Sequence, residues 1–218
     1  MDFSGEAVAM AEILLLNEES IAQAAEILRR GGVVAFPDEH SYLLLADAFH
    51  LSATARIREL RLMETGATLQ VLIADQPTFH GIAREIDEEG AALIDAFWPG
   101  PLALLVLAQG GLSWDLGDRR EMGAFVVRQP RAAHLRELLR LTGPLACGLA
   151  SRTGEPIAHE VAEIAVADEC DLVVDGGQQT VIATSTVIDL TGKPPRLVRR
   201  GSISFFDLAK VAPSLVIE

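Results

Sequence analysis

The stretch from Gly31 to Ala48 constrains the fold of this chain more than any other. It reads Gly-Gly-Val-Val-Ala-Phe-Pro-Asp-Glu-His-Ser-Tyr-Leu-Leu-Leu-Ala-Asp-Ala. Before it, Ile21, Ala24, Ala25 and Leu28 recur at helical spacing, with Ser20 as N-cap, Arg29 and Arg30 in the last turn, and Gly31 as the stop. Val33 to Phe36 is a short apolar run halted by Pro37, which predicts a buried strand. The run Leu43 to Leu45 reads as further core.

Helices and strands go on alternating. Ser52 is placed to cap a helix reaching about Leu62, and a strand follows over Leu69 to Ala74. A helix over Ala91 to Phe97 cannot continue past Trp98-Pro99-Gly100-Pro101. Strands are predicted over 103–108, 124–128 and 145–150, with a helix over 132–141 between the last two. A helix over His159 to Ala167 precedes three late strands, over 171–174, 185–190 and 196–199, and a final helix runs from Phe205 to Val211. Alternation early and clustered strands late argue for one α/β (α+β) domain around a mixed sheet. The 218 residues suit a single core. The expected layout is an N-terminal extension over 1–17, the domain over 18–203, and a C-terminal helix and tail over 204–218.

The net charge of −13 disfavours broad nucleic-acid binding, because phosphate affinity comes mainly from lysine and arginine. The arginines nevertheless cluster: Arg56, Arg58 and Arg61; Arg128 and Arg131; Arg196, Arg199 and Arg200. Guanidinium groups suit bidentate binding of phosphate or carboxylate. Cys147 and Cys170 lie in apolar surroundings and read as free buried thiols. The histidines and cysteines show no metal-ligand spacing, so no metal site is expected. No stretch of about 20 apolar residues is present, so no membrane partner is expected. The acidic start, Met1 to Glu6, is unlike a signal peptide, which points to the cytoplasm. The oligomeric state is left open.

Four segments in order carry a family resemblance. They are Gly31 to Ala48; Arg56 to Arg61 running to Leu69–Ile73; Phe97-Trp98-Pro99-Gly100-Pro101-Leu102; and Asp171 to Gly177 with Ser185 to Gly192 and Leu197 to Gly201. Together they resemble the YrdC-like family, whose active members are threonylcarbamoyl-AMP synthases. The resemblance implies a twisted mixed sheet flanked by helices, with a concave cavity. It implies ATP, L-threonine and bicarbonate as substrates, with Mg2+, and a product that feeds tRNA modification. It also implies a possible RNA partner. The positions that match the family's ligand-binding residues are Tyr42, Arg61, Arg128, Ser151, Ser185, Thr186 and Arg199, with Glu39 and His40 beside them.

Other positions depart from the pattern. Asp38 and His40 stand where the family has threonines, and Leu43 and Leu45 where it has glycines. A leucine forced into left-handed geometry would cost about 1–2 kcal/mol, so either the loop is redrawn or the leucines fill ligand space. Arg61 replaces a lysine, Met63 an arginine, Glu64 a proline, and Leu149-Ala150-Ser151 a Ser-Ala-Asn run. Losing an arginine and gaining a carboxylate should weaken triphosphate binding. His40 titrates near neutrality and has Asp38 and Glu39 to tune it, although adjacent residues of an extended segment face opposite ways. Three functions follow as alternatives. The chain is a diverged synthase, a non-catalytic module binding a nucleotide or double-stranded RNA, or an interaction protein whose pocket is filled by Leu43, Leu45, Met63 and Leu149.

Overall fold

The computed structural model describes residues 11–118, 123–180 and 184–217. Among these residues eleven strands form one mixed sheet: β1 (Ile13–Leu15), β2 (Val34–Pro37), β3 (Tyr42–Asp47), β4 (Gln70–Leu72), β5 (Leu102–Leu107), β6 (Ala124–Arg128), β7 (Leu145–Leu149), β8 (Leu172–Asp175), β9 (Thr186–Asp189), β10 (Arg196–Arg199) and β11 (Val216–Ile217). Their spatial order is β1-β8-β2-β3-β7-β4-β6-β5-β9-β10-β11. Among the described residues six helices flank it: α1 (Glu18–Arg29), α2 (Leu51–Leu60), α3 (Gln76–Ile82), α4 (Glu88–Phe97), α5 (Ala133–Thr142) and α6 (Phe205–Val211). Among the described residues, no helix is long and apolar enough to cross a membrane.

The helix ends follow side-chain chemistry. Asn17, not Ser20, is the N-cap of α1. Its side chain accepts from Ser20 N–H at 2.9 Å while the Ser20 hydroxyl accepts from Asn17 N–H at 3.0 Å, a reciprocal box that places Ser20 inside the helix. Gly31 ends α1 at φ +83°, where a Cβ would strike the His50 ring. Helix α2 starts at Leu51, with His50 rather than Ser52 in the cap position. The helix expected over His159 to Ala167 is instead two single 3-10 turns, Val161–Glu163 and Ala167–Glu169.

The Leu43–Leu45 segment is neither a redrawn loop nor strained. It lies inside β3, paired to β2 on one side and β7 on the other, and needs no left-handed residue. Side chains alternate across it as in any strand. Tyr42, Leu44 and Ala46 enter a core shared with α2, α3, α4 and α6, while Leu43 and Leu45 face α1 and α5. Strands β1 and β11 add an edge from each flanking segment, pairing with β8 and β10.

The layer formed by α1 and α5 covers only part of its face of the sheet. It packs on Val34, Phe36, Leu45, Leu145, Leu172 and Val174. Beyond Leu43 and Cys147 the same face, at Gln70, Val126 and Val187, borders a cavity.

Leu62, the residue after the Arg61 C-cap of α2, takes φ +51° and is 66% exposed. Its position closes the helix by bonds from Leu62 N–H to Glu59 O at 3.0 Å and from Met63 N–H to Arg58 O at 2.9 Å, the geometry that favours glycine. Leu62→Gly is expected to raise the unfolding free energy by about 1 kcal/mol, read from urea unfolding curves.

Candidate functional site

The turn after β2 is held from every side. Asp38 N–H donates to Ser41 O at 2.8 Å. His134 Nε2 lies 3.0 Å from Pro37 O and His159 Nδ1 lies 2.7 Å from His40 O. Arg128, at the end of β6, reaches this turn from across the sheet. Its Nη2 donates to Asp38 Oδ2, and its Nη1 donates to Glu39 Oε2 at 3.2 Å. Arg128 and Asp38 are each 4% exposed. Burial pushes the Glu39 carboxyl up, but the Arg128 charge and hydrogen bonds from backbone and guanidinium outweigh it. The net effect holds Glu39 below its usual range. Burial also lowers His40, against the opposing pull of Glu39, so its imidazole is neutral at pH 7.

The clamped turn presents Asp38, His40 and Ser41 to a cavity of about 340 Å³. That volume falls within the range of small-molecule sites, roughly 300–1,000 Å³. Gln70 and Cys147 lie on its floor, with Arg61, Arg128, Arg199 and Ser185 around it.

Arg61 arrives as the C-cap of α2, with its carbonyl gripped by Thr153 N–H at 2.8 Å and by the Thr153 hydroxyl at 2.9 Å. Its side chain crosses β7 at Gly148, where a Cβ would come within 2.7 Å of Cδ and Nη1. Nε donates to Ser151 O at 3.3 Å, and Nη1 lies 3.6 Å from Met63 Sδ. Arg199 donates from Nε and Nη2 to Ser185 O at 3.2 and 3.1 Å. Among the described residues neither Arg61 nor Arg199 has a carboxylate partner, so both guanidinium charges are available to an anion. The buried side-chain atoms without a hydrogen-bond partner, among the described residues, are Asp38 Oδ1, His40 Nδ1 and Gln70 Nε2, and all three residues line this cavity. Buried polar atoms are normally satisfied, so three orphans on residues of one cavity single it out as the candidate site among the described residues.

The structure sorts the sequence candidates. Arg61, Arg128, Ser185, Arg199 and His40 line the cavity. Tyr42 does not: its hydroxyl accepts from Gly176 N–H at 3.0 Å and donates toward Gly177 O at 2.8 Å, tying down the loop after β8. Thr186 is fully buried on the far face, bonded to Ile203. Ser151 acts through its carbonyl on Arg61, and Glu39 through Arg128. The expectation that Glu64 repels a ligand fails, because Glu64 is exposed and faces a separate groove with Gly66 and Gly117. The filled-pocket alternative fails as well. Leu43 and Leu149 form part of the wall, Leu45 packs under the α1–α5 layer, Met63 lies against Arg61, and the cavity stays open. Residues 181–183, beside Ser185, lie outside the described residues. Sequence reasoning missed Gln70, a single amide in the apolar run from Leu69 to Ala74, and the capture of Arg128 by Asp38. The lone polar residue was a usable signal for the first.

The family model described as "Telomere recombination", covering Sua5, YciO and YrdC proteins, matches residues 26–201. A Mycobacterium tuberculosis relative is 34% identical over 197 residues, 89% of this chain and 90% of the relative. The threonylcarbamoyl-AMP synthase of Pyrococcus abyssi is 34% identical over 208 residues, 90% of this chain but 58% of that enzyme. This chain therefore spans little more than half of that enzyme's length. The crystal structure of P. abyssi Sua5 complexed with L-threonine matches with a TM-score of 0.86 at 30% identity, covering 96% of this chain and 62% of that one. Escherichia coli YciO shares the fold, with a TM-score of 0.80 at 22% identity over 93% of this chain and 100% of its own.

Arg128→Met leaves the buried Asp38 and half-buried Glu39 carboxylates without their counter-charge, and is expected to destabilise the fold by about 3–5 kcal/mol, measured by urea unfolding at pH 7. Because the folded Glu39 pKa lies below the ordinary 4.5, its contribution is present above that pH and is lost as pH falls through the folded value. The variant should lose this acid limb when unfolding is repeated at pH 4. Burial pushes both the Cys147 and Cys170 thiols up to about 12. Iodoacetamide at pH 8 is expected to spare both in the folded protein and modify both after unfolding, read by mass spectrometry.

Proposed function

This chain belongs to the Sua5/YciO/YrdC family, and on that premise we propose that its cavity forms a carbamoyl adenylate from ATP, bicarbonate and an amino acid, as threonylcarbamoyl-AMP synthases do. The supporting observation is the pairing of two guanidinium groups free of carboxylates, Arg61 and Arg199, with three unsatisfied buried polar atoms around the same cavity. Such an arrangement asks for a ligand that is both anionic and rich in hydrogen-bonding groups.

The reaction sets two demands. The amino acid's nitrogen adds to the bicarbonate carbon and water leaves, giving a carbamate. A carbamate oxygen then attacks the α-phosphorus of ATP, and the bond to pyrophosphate breaks. Arg61 and Arg199 are suited to hold phosphate oxygens and to balance the charge that gathers on the leaving pyrophosphate. Their donors are anchored beforehand by Ser151 O and Ser185 O, so little reorganisation is needed. The walls formed by Leu43, Leu149 and Val187 limit water around the carbamate.

Magnesium has no protein cage here: among the described residues, no cluster of three His, Cys, Asp or Glu side chains is placed to hold a metal. A Mg2+ ion would enter on the triphosphate, held mainly by phosphate oxygens and water. With Met63 in place of an arginine and Arg128 neutralised by Asp38, fewer cations face the triphosphate than in the family pattern. The expected consequence is weaker ATP binding rather than a different reaction.

The test is pyrophosphate release by purified protein given ATP, L-threonine and bicarbonate. Release that requires all three substrates supports the reading. Arg61→Met and Arg199→Met are each expected to slow it by roughly 100-fold. Absence of release at micromolar enzyme removes the reading.

A further inference from the structure

Resting on the synthase reading, we propose that Asp38 selects the amino-acid substrate, its Oδ1 accepting a hydrogen bond from the substrate's ammonium group. Asp38 is 4% exposed, its Oδ2 is taken by Arg128, and its Oδ1 has no partner although it is buried at the cavity wall. Leaving a buried charged acceptor unsatisfied is costly, and a cationic nitrogen relieves that cost more fully than a neutral donor.

The local charge favours the same occupant. Two carboxylates, Asp38 and Glu39, share one guanidinium, Arg128, so the buried group carries one negative charge in excess. A phosphate placed there would meet Oδ1 as a like charge and would find Arg128 already engaged. Arg61 and Arg199 give the cavity wall its free cations, and Asp38 gives it a carboxylate oxygen without a partner. His40 Nδ1, two residues along the clamped turn, is also without a partner. Gln70 Nε2, on the floor, is left to donate to a ligand oxygen. The family pattern has a threonine hydroxyl where this chain has Asp38. The aspartate therefore places a full charge where the family pattern has a neutral group.

Isothermal titration calorimetry decides it, with L-threonine and with 2,3-dihydroxybutyrate, in which a hydroxyl replaces the ammonium. The unmodified protein is expected to bind L-threonine at least tenfold more tightly than the hydroxy acid. Asp38→Asn, which keeps shape and an acceptor for Arg128, is expected to abolish that preference without weakening pyrophosphate binding. Equal binding of the two acids by the unmodified protein, no measurable binding of L-threonine, or a preference that survives in Asp38→Asn overturns the assignment. If Asp38→Asn does not fold, the comparison in the unmodified protein stands alone. Pyrophosphate release separates the two ideas. A tenfold amine preference without release removes the synthase reading and keeps the role of Asp38. Undiminished release by Asp38→Asn at subsaturating threonine does the reverse.

Discussion

The buried Arg128 guanidinium, held between Asp38 and Glu39, is the contact on which the shape of the site depends. Strands β3, β7 and β4 lie between β2, which leads into the acidic turn, and β6, which carries the arginine. In a flat sheet four strand spacings of about 4.8 Å would separate them by roughly 19 Å, beyond the reach of one arginine and one carboxylate. The contact needs the twist of the sheet together with the turn that follows β2 to bring Asp38 within reach of Arg128. The hollow so enclosed is the cavity. Breaking a buried ion pair by removing one partner costs far more than the pair itself contributes, so the curvature and the charge arrangement hold each other in place.

Much of the framework was legible in the chain. Helix α1, its glycine stop and the strand ended by Pro37 follow from spacing and from two residues with fixed conformational habits. Strand β3 was not legible as a strand. It is buried on both faces, so Leu43, Leu44 and Leu45 show no alternation, and a continuous apolar run does not distinguish strand from generic core. Helix α3 is only seven residues long, and its Asp75 cap and Pro77 were the sole signals. The 159–167 segment offers Val161 and Ile164 at helical spacing, but single turns without a longer apolar face do not propagate.

The site divides along similar lines. Arg61, Ser185 and Arg199 could be placed by resemblance because they sit beside residues that set the backbone. The engagement of Arg128 by Asp38 links positions 90 apart in sequence, and no local pattern announces it. Asp38 was visible as a departure, and Met63 as another, but their effects differ in kind. Asp38 changes the charge of the cavity wall. Met63 sets a polarisable sulfur against the Arg61 guanidinium and leaves that charge unopposed. Glu64, one residue further on, points into another groove and does not bear on the site.

Gly148 carries a consequence for how this site can change over time. Arg61 lies across β7 only because no side chain stands at that point of the strand, and even an alanine would collide with it. The two positions are therefore tied in inheritance: a side chain at position 148 obliges the Arg61 side chain to shift from this placement. Among descendants of this chain, a glycine in the middle of the seventh strand is a more telling mark of a retained anion site than an arginine at the end of the second helix. An arginine there can survive for other reasons, while the bare strand beneath it has few other uses.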